Sequence, residues 1–361
     1  MRFVHQILGV AAFVLAAKGT PCPCKTTSPP PAASVSVLHA FSNPSWAENL
    51  VVRPNGNLLV SRVDTPELWD VDPSTGDAVL VHAWNATEHK AALGIAETTP
   101  DVFYVAASAL FDKNYDKTGG VNAVFRVDMR TFRRGVAGGD GNGNGNGNVR
   151  ANATVRKLVD IPEAKLPNGL TTLDLDHVLV ADSLNGVVYK VHTGTGAYAV
   201  AVDDPKMKPD YVNSTAAVKV GVNGIKVFNG HLYWSNTVAG FLARVPIDAG
   251  GHATGPSSIA VAPAAEADDF FIRDDGVTFV CQNQANTLSV AYLDPDASVP
   301  THPIAGSNTA TTVAGVSAAK FGRRPCDHTR LYLTTSGAMG KPINGTITVA
   351  GTVSYIETAQ Y

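Results

Sequence analysis

Cysteine is scarce, with 4 in 361 residues, and methionine and tryptophan are equally rare at 4 each. Cys22, Cys24, Cys281 and Cys326 show no metal-ligand spacing, which excludes a cysteine-based metal centre. A structural bridge involving Cys281 or Cys326 is expected in an oxidising compartment, with the three possible pairings open. Charge is sparse and nearly balanced, 28 Lys and Arg against 31 Asp and Glu for a net charge of −3. With no basic stripe and no aromatic ladder beside Lys and Arg, nucleic acid is excluded as a partner. The G-x-S-x-G motif is missing and the 10 histidines are scattered, so no Ser-His-Asp hydrolase is signalled.

The apolar run Ile7 to Ala17 is too short to span a membrane. It follows basic Arg2, leads into small residues, and so has the order of a secretory signal peptide over residues 1–19, ahead of a Pro-rich flexible segment over residues 20–34. The expectation is a secreted or vesicular protein with no membrane span in the mature chain. N-x-S/T sequons at Asn85, Asn152, Asn213 and Asn344 are candidate glycosylation sites that fit that route.

What the chain has instead is a repeated unit, cleanest from Val220 to Ile247. There Asn223-Gly224 opens an apolar strand, Asn229-Gly230 is a hairpin turn signal, His231 to Ser235 is the next strand and Gly240 to Ile247 a third. Opening positions align as Glu48-Asn49-Leu50, Leu93-Gly94-Ile95, Asn168-Gly169-Leu170, Asn223-Gly224-Ile225, Asp268-Asp269-Phe270 and Ser317-Ala318-Ala319, at steps of 45, 75, 55, 45 and 49 residues. Third strands read from Glu67, Ala123, Gly186, Gly240, Thr287 and Gly345, and fourth strands fit the gaps at 78–84, 154–160, 197–202 and 258–261. Six units at a four-strand period predict an all-β fold over residues 35–361, a six-bladed β-propeller of four-stranded antiparallel blades. The segment Val35 to Phe41 has no blade of its own in sequence order, and is expected to close the ring as the outer strand of the last blade.

Inner strands of a propeller line its central channel, so chemistry is sought where the opening residues converge. Glu48, Asn168, Asn223 and Asp268 form a hard-oxygen set suited to one divalent cation, calcium, magnesium or zinc, with water completing its shell. The alternative reading of each is a turn former ahead of an inner strand. No organic cofactor is expected, and the partner is a small-molecule substrate. Ends of the second strands add Arg62 as an oxyanion binder and Asp182 as an acid or base. Asn236 and Asn283, with Tyr104, Tyr233 and Trp234 just ahead of such ends, are expected to contact substrate. Against these stand a turn-capping role for Asp182 and pairing of Arg62 with Asp64 or Glu67. Tyr233 and Trp234 alternate faces, so at most one can look into any cavity.

These residues resemble the gluconolactonase and regucalcin propellers. That resemblance implies a metal held by Glu48 in AENL, Asn168 in PNGL, Asn223 in VNGI and Asp268 in ADDF. The Asp and Gly-Arg that follow the family's Asn are absent after Asn168, where the text is GLTTLDLDH, and Leu93 adds nothing polar. The signal-like leader together with ENLVVRPNGNLLV, PELWDVDP, PNGL, ADS and FGR is similar to the fungal secretory branch that includes hetero-Diels-Alderases of tropolone sesquiterpenoid pathways. The resemblance implies loss of water to give a tropolone quinone methide, then cycloaddition with an alkene such as humulene, in meroterpenoid biosynthesis. A metal-dependent lactonase and a non-catalytic binding propeller are the other readings.

Overall fold

The computed structural model describes residues 29–112, 118–134, 152–210 and 219–361. The first blade is β2 (Ala47–Val52), β3 (Leu58–Arg62), β4 (Glu67–Val71) and β5 (Ala78–Ala83). The second is β6 (Ala91–Thr99), β7 (Val102–Ser108), β8 (Ala123–Asp128) and β9 (Thr154–Asp160). The third is β10 (Pro167–Thr172), β11 (His177–Asp182), β12 (Val187–His192) and β13 (Tyr198–Asp203). The fourth is β14 (Val222–Phe228), β15 (His231–Asn236), β16 (Phe241–Pro246) and β17 (Ser258–Val261). The fifth is β18 (Ala267–Ile272), β19 (Val277–Gln282), β20 (Thr287–Tyr292) and β21 (His302–Gly306). The sixth is β22 (Val316–Phe321), β23 (Arg330–Thr335) and β24 (Thr352–Glu357), completed by β1 (Ser36–Ala40), which pairs antiparallel with β24. The inner strands β2, β6, β10, β14, β18 and β22 touch one another in a closed circle.

Each blade buries both faces against its neighbours, and the second strands show why their sequences are nearly continuous apolar runs. In β3 the adjacent Leu58 and Leu59 are both fully buried, Leu58 against the sixth blade and Leu59 against the second. In β11 Val178 and Val180 pack on the second blade while Leu179 and Ala181 pack on the fourth. Each such Leu or Val side chain stabilises the ring by about 1.5–3 kcal/mol. Burial fades outward, and the outermost strand β9 has no buried residue, only exposed and half-buried ones.

The expected strand from Gly345 is a correction. Residues 345–351 lie in the loop before β24, because Asn344 (φ 54°) and Gly345 (φ 79°) turn the backbone and leave Ile347 43% exposed. The true third strand follows, where Val353 and Ile356 are fully buried.

A buried polar stitch joins the first two blades. Asp70 has no exposure, accepts from Arg53 Nη1 at 2.7 Å and Asn57 Nδ2 at 2.7 Å, and pairs with Arg134 Nε at 2.9 Å. Arg53 Nε reaches on to Asp101 Oδ1 at 3.0 Å. The expected cysteine bridge is not formed between the two described thiols. Cys281 is free inside the core between the fifth and sixth blades, where burial pushes its thiol up, and Cys326 is free and exposed. Cys22, Cys24, Asn213 and the signal-like leader lie outside the described residues. Asn85, Asn152 and Asn344 are exposed. Among the described residues no helix is long and apolar enough to cross a membrane.

Candidate active site at the channel mouth

Every inner strand slips register near its start. The slips fall between Ala47 and Leu50, Ala92 and Ile95, Pro167 and Leu170, Val222 and Ile225, Ala267 and Phe270, and Val316 and Ala318. A bulge bends the strand and re-aims the extra residue. The bulges hold Glu48, Leu93, Asn168, Asn223, Asp268 and Ser317, the six positions aligned in the sequence. Two of the following glycines are required by close approach. A Cβ at Gly169 would run into the carbonyl of Asn223, and one at Gly224 into the side chain and Cα of Asp269. The bulges therefore pack backbone to backbone around the mouth.

In the first and fifth blades the equivalent positions, Asn49 and Asp269, are polar and buried. Asn49 Nδ2 donates to Asp269 Oδ2 at 3.2 Å, and Lys226 forms an ion pair with Asp269 Oδ1. Hydroxyls tie the bulges to adjoining blades, Ser61 Oγ to the Leu93 carbonyl at 2.6 Å and Ser317 Oγ to the Ala47 carbonyl at 2.7 Å.

Glu48 and Asp268 are the buried acids of the mouth. Burial and the charge of Asp269 raise the Glu48 carboxyl to about 7, against a hydrogen bond of 2.6 Å from Trp46 Nε1 to Oε2 that favours its ionised form. Asp268 is raised well above the usual range by burial and by the charges of Glu48 and Asp269. Asn283 Nδ2, at 2.9 Å from Asp268 Oδ2, and the Asn223 carboxamide partly offset this. Three carboxylates thus face one paired ammonium, and such crowding holds a proton at neutral pH or attracts a cation.

The donor set suits a hard cation. It combines two carboxylates with the carboxamides of Asn168 and Asn223, and the Asn168 carboxamide makes no hydrogen bond among the described residues. Among those residues no three His, Cys, Asp or Glu side chains form a metal nest, so amide oxygens would have to complete any site.

The other expected site residues lie elsewhere. Asp182 has no exposure, and its carboxylate accepts from Lys165 N (3.0 Å), Leu166 N (3.0 Å), Asn185 N (3.3 Å) and Asn185 Nδ2 (2.7 Å), clamping the turns at the top of the third blade. Arg62 is paired with Asp64 and Glu67 and lies 4.8 Å from the Phe41 ring centroid. Tyr104 sits in the core between the second and third blades, Tyr233 in that between the fourth and fifth, and Trp234 in that between the third and fourth. These three aromatics are away from the channel because both faces of every second strand are covered. Asn236 Nδ2 holds the carbonyls of Lys206 (2.9 Å) and Lys208 (3.0 Å). Of the expected substrate contacts, only Asn283 joins the acid pair.

Sequence reasoning missed Trp46, Asn49, Lys226 and Asp269. The Asp268-Asp269 doublet carried a signal, since a turn needs only one acid. Lys226 carried none, because its partner lies in another blade.

No family model matches the chain. It is 27% identical over 359 residues to a protein of Sarocladium schorii provisionally named hetero-Diels-Alderase asR5, covering 90% of this chain and 84% of that one. A provisionally named hetero-Diels-Alderase of a Phoma species is 26% identical over 337 residues, covering 87% of this chain and 89% of that one. The chain resembles the hetero-Diels-Alderases. Its fold is shared with a calcium-binding protein, regucalcin, from Agrobacterium tumefaciens, at a TM-score of 0.54 and 14% identity over 91% of this chain and 96% of that one.

Proposed function

We propose that the protein is a hetero-Diels-Alderase-like enzyme of natural-product biosynthesis, acting at the mouth that carries Glu48 and Asp268. The observation that carries this reading is the protonatable acid pair, set in a chain that is similar to two hetero-Diels-Alderases over most of its length. Loss of water from a hydroxymethyl tropolone needs a proton on the departing hydroxyl and removal of one from the ring hydroxyl. A protonated Glu48 supplies the first. The carboxylate left behind accepts the second, so the acid is regenerated and the net change is one water released. The cycloaddition moves no proton and needs only orientation and exclusion of bulk water.

Leu110, Phe111, Leu184 and Val220 are half-buried apolar residues where the second and third blades meet on this face, suited to a terpene. The hydrogen-bonded Asn283 and Asn223 would position the tropolone oxygens. With Glu48 and Asp268 ionised, these two carboxylates with Asn168 and Asn223 would instead hold a divalent cation, which would supply polarisation of those oxygens in place of the Glu48 proton. Asp182 and Arg62, saturated by their own neighbours, support the architecture of the mouth in this reading.

The test is product analysis by mass spectrometry after incubating the protein with a hydroxymethyl tropolone and humulene, with and without chelator. Faster formation of one stereoisomer than in buffer, abolished in Glu48→Gln, is expected. Adduct formation equal to the buffer control would end this reading, and hydrolysis of lactones only with added metal would replace it with the lactonase.

A further inference from the structure

Three of the 4 tryptophans have apolar or aromatic company and one does not. Trp69 packs on the Phe41 ring at 5.7 Å, and Trp84 on His82 at 4.7 Å and Phe125 at 5.5 Å. Trp234 is fully buried between the third and fourth blades. Trp46 stands at the acid mouth, immediately before β2, and is half-buried. Among the described residues it meets no other ring, has no cation over it and belongs to none of the apolar clusters between blades.

Its edges and backbone, by contrast, are fixed. Nε1 is tied to Glu48 Oε2 by the 2.6 Å hydrogen bond. At the far edge a Cβ on Gly340 would lie 3.1 Å from Cη2 and 3.2 Å from Cζ3, so the loop after β23 sets bare backbone against the indole. That loop is pinned in turn, Ala338 N donating to the Ala314 carbonyl at 3.2 Å and Lys341 Nζ to Glu266 Oε1 at 2.8 Å. The Trp46 amide donates to Asp64 Oδ1 at 3.0 Å, and its carbonyl accepts from Val63 N at 3.1 Å. An indole held along its edges, with its faces taken by no protein ring, is a preorganised surface for a second flat ring.

We propose that Trp46 is the stacking surface for the flat conjugated ring of the substrate. This role rests on the tropolone reading of the mouth and adds to it the subsite that recognises planarity. Stacked or edge-on aromatic pairs gain from contact between flat π systems, which a puckered ring of the same size cannot offer. The oxygen-bearing edge of the stacked ring then turns toward Glu48, which the same indole holds by its nitrogen. Gly340 is bare because a side chain there would push the indole out of place.

The test is calorimetric titration of the intact, chelator-treated protein at pH 5.5, where the ring hydroxyl keeps its proton. The two ligands are tropolone and 2-hydroxycycloheptanone, which has the same ring size and the same oxygens but is puckered. The parent should bind tropolone about tenfold or more tighter than the saturated ring, and Trp46→Leu should lose that preference. Trp46→Phe also lacks the indole N–H but keeps a ring, and should retain most of it. The two variants lose the same hydrogen bond to Glu48, so the difference between them reads the ring alone. Equal losses in both variants, or parallel losses for both ligands, would overturn the proposal and leave Trp46 as a tether for Glu48, with the tropolone reading standing. A parent that binds neither ligand would end that reading, and this subsite with it. In the unmodified protein, saturating tropolone should lower hydroxyl-radical oxidation of Trp46 several-fold relative to Trp69, read by peptide mass spectrometry. An unchanged ratio would overturn the proposal even if the variants do not fold.

Discussion

Trp46 Nε1 donates a 2.6 Å hydrogen bond to Glu48 Oε2, so the acid at the channel mouth is held by an indole two residues before it. That bond favours the carboxylate, and Trp46→Phe removes it. The Glu48 carboxyl should then rise above its value of about 7, by up to about one unit. If the protonated form is active, the basic limb of the kcat/KM profile with the tropolone alcohol moves upward in the variant. An unmoved limb would mean that another group supplies the proton.

Both acids are raised on folding, which fixes the sign of their effect on stability. Their contribution is complete below the ordinary carboxylate range and is lost as pH rises through about 7 for Glu48 and higher for Asp268. Glu48→Gln should therefore flatten the decline of stability with pH and be more stable than the parent at pH 8, by about 3 kcal/mol from a shift of the size seen at Glu48. Urea unfolding at pH 5 and pH 8 measures it. A parent whose stability is level over that range would show that the acids are not strained.

A divalent cation at the mouth has to displace the shared protons. After treatment with chelator, added calcium should raise Tm more at pH 8 than at pH 5.5, and at a hundredfold excess over its Kd the gain is about 2.7 kcal/mol. Asn223→Ala should weaken it. No shift with calcium, magnesium or zinc at either pH would leave the acids to protons alone.

Arg53 bridges Asp70 in the first blade and Asp101 in the second. Arg53→Ala leaves Asp70 buried with a partner gone, and should cost about 3–5 kcal/mol in urea unfolding. A loss under about 1 kcal/mol would place the pair with exposed surface bridges instead.

Asp182→Asn separates structure from catalysis. The carboxamide cannot accept all four N–H donors that now converge on the carboxylate, so Tm should fall by several degrees, as expected for a loss of about 1–3 kcal/mol. Turnover per folded molecule should stay close to the parent. A collapse of turnover with Tm unchanged would return Asp182 to the catalytic role its sequence context suggests.

Much of the ring was legible because its determinants are local. Asn-Gly turns and short apolar runs mark strands within a few residues, and the recurring opening position picks out Glu48, Asn168, Asn223 and Asp268, which fall in the bulges of the inner strands. The third strand of the sixth blade was missed because GTITVAG is as β-prone as TVSYIE, and only core contact separates Ile347 from Val353. Tyr104, Tyr233 and Trp234 lie in the cores between blades for a related reason. Alternation says that neighbours face opposite ways, but in a sheet covered on both sides neither way is toward the channel. Lys226 with Asp269 arises between blades far apart in sequence, where no spacing rule reaches.

The register slip shared by all six inner strands has an evolutionary consequence. It is held by main-chain contacts and by hydroxyls on neighbouring strands, so what protrudes at each slip is free to differ, and here it is Glu, Leu, Asn, Asn, Asp and Ser. A lineage can thus exchange one protruding group at a time, trading a cation ligand for an acid or an alkyl wall, while the ring that presents it is inherited unchanged.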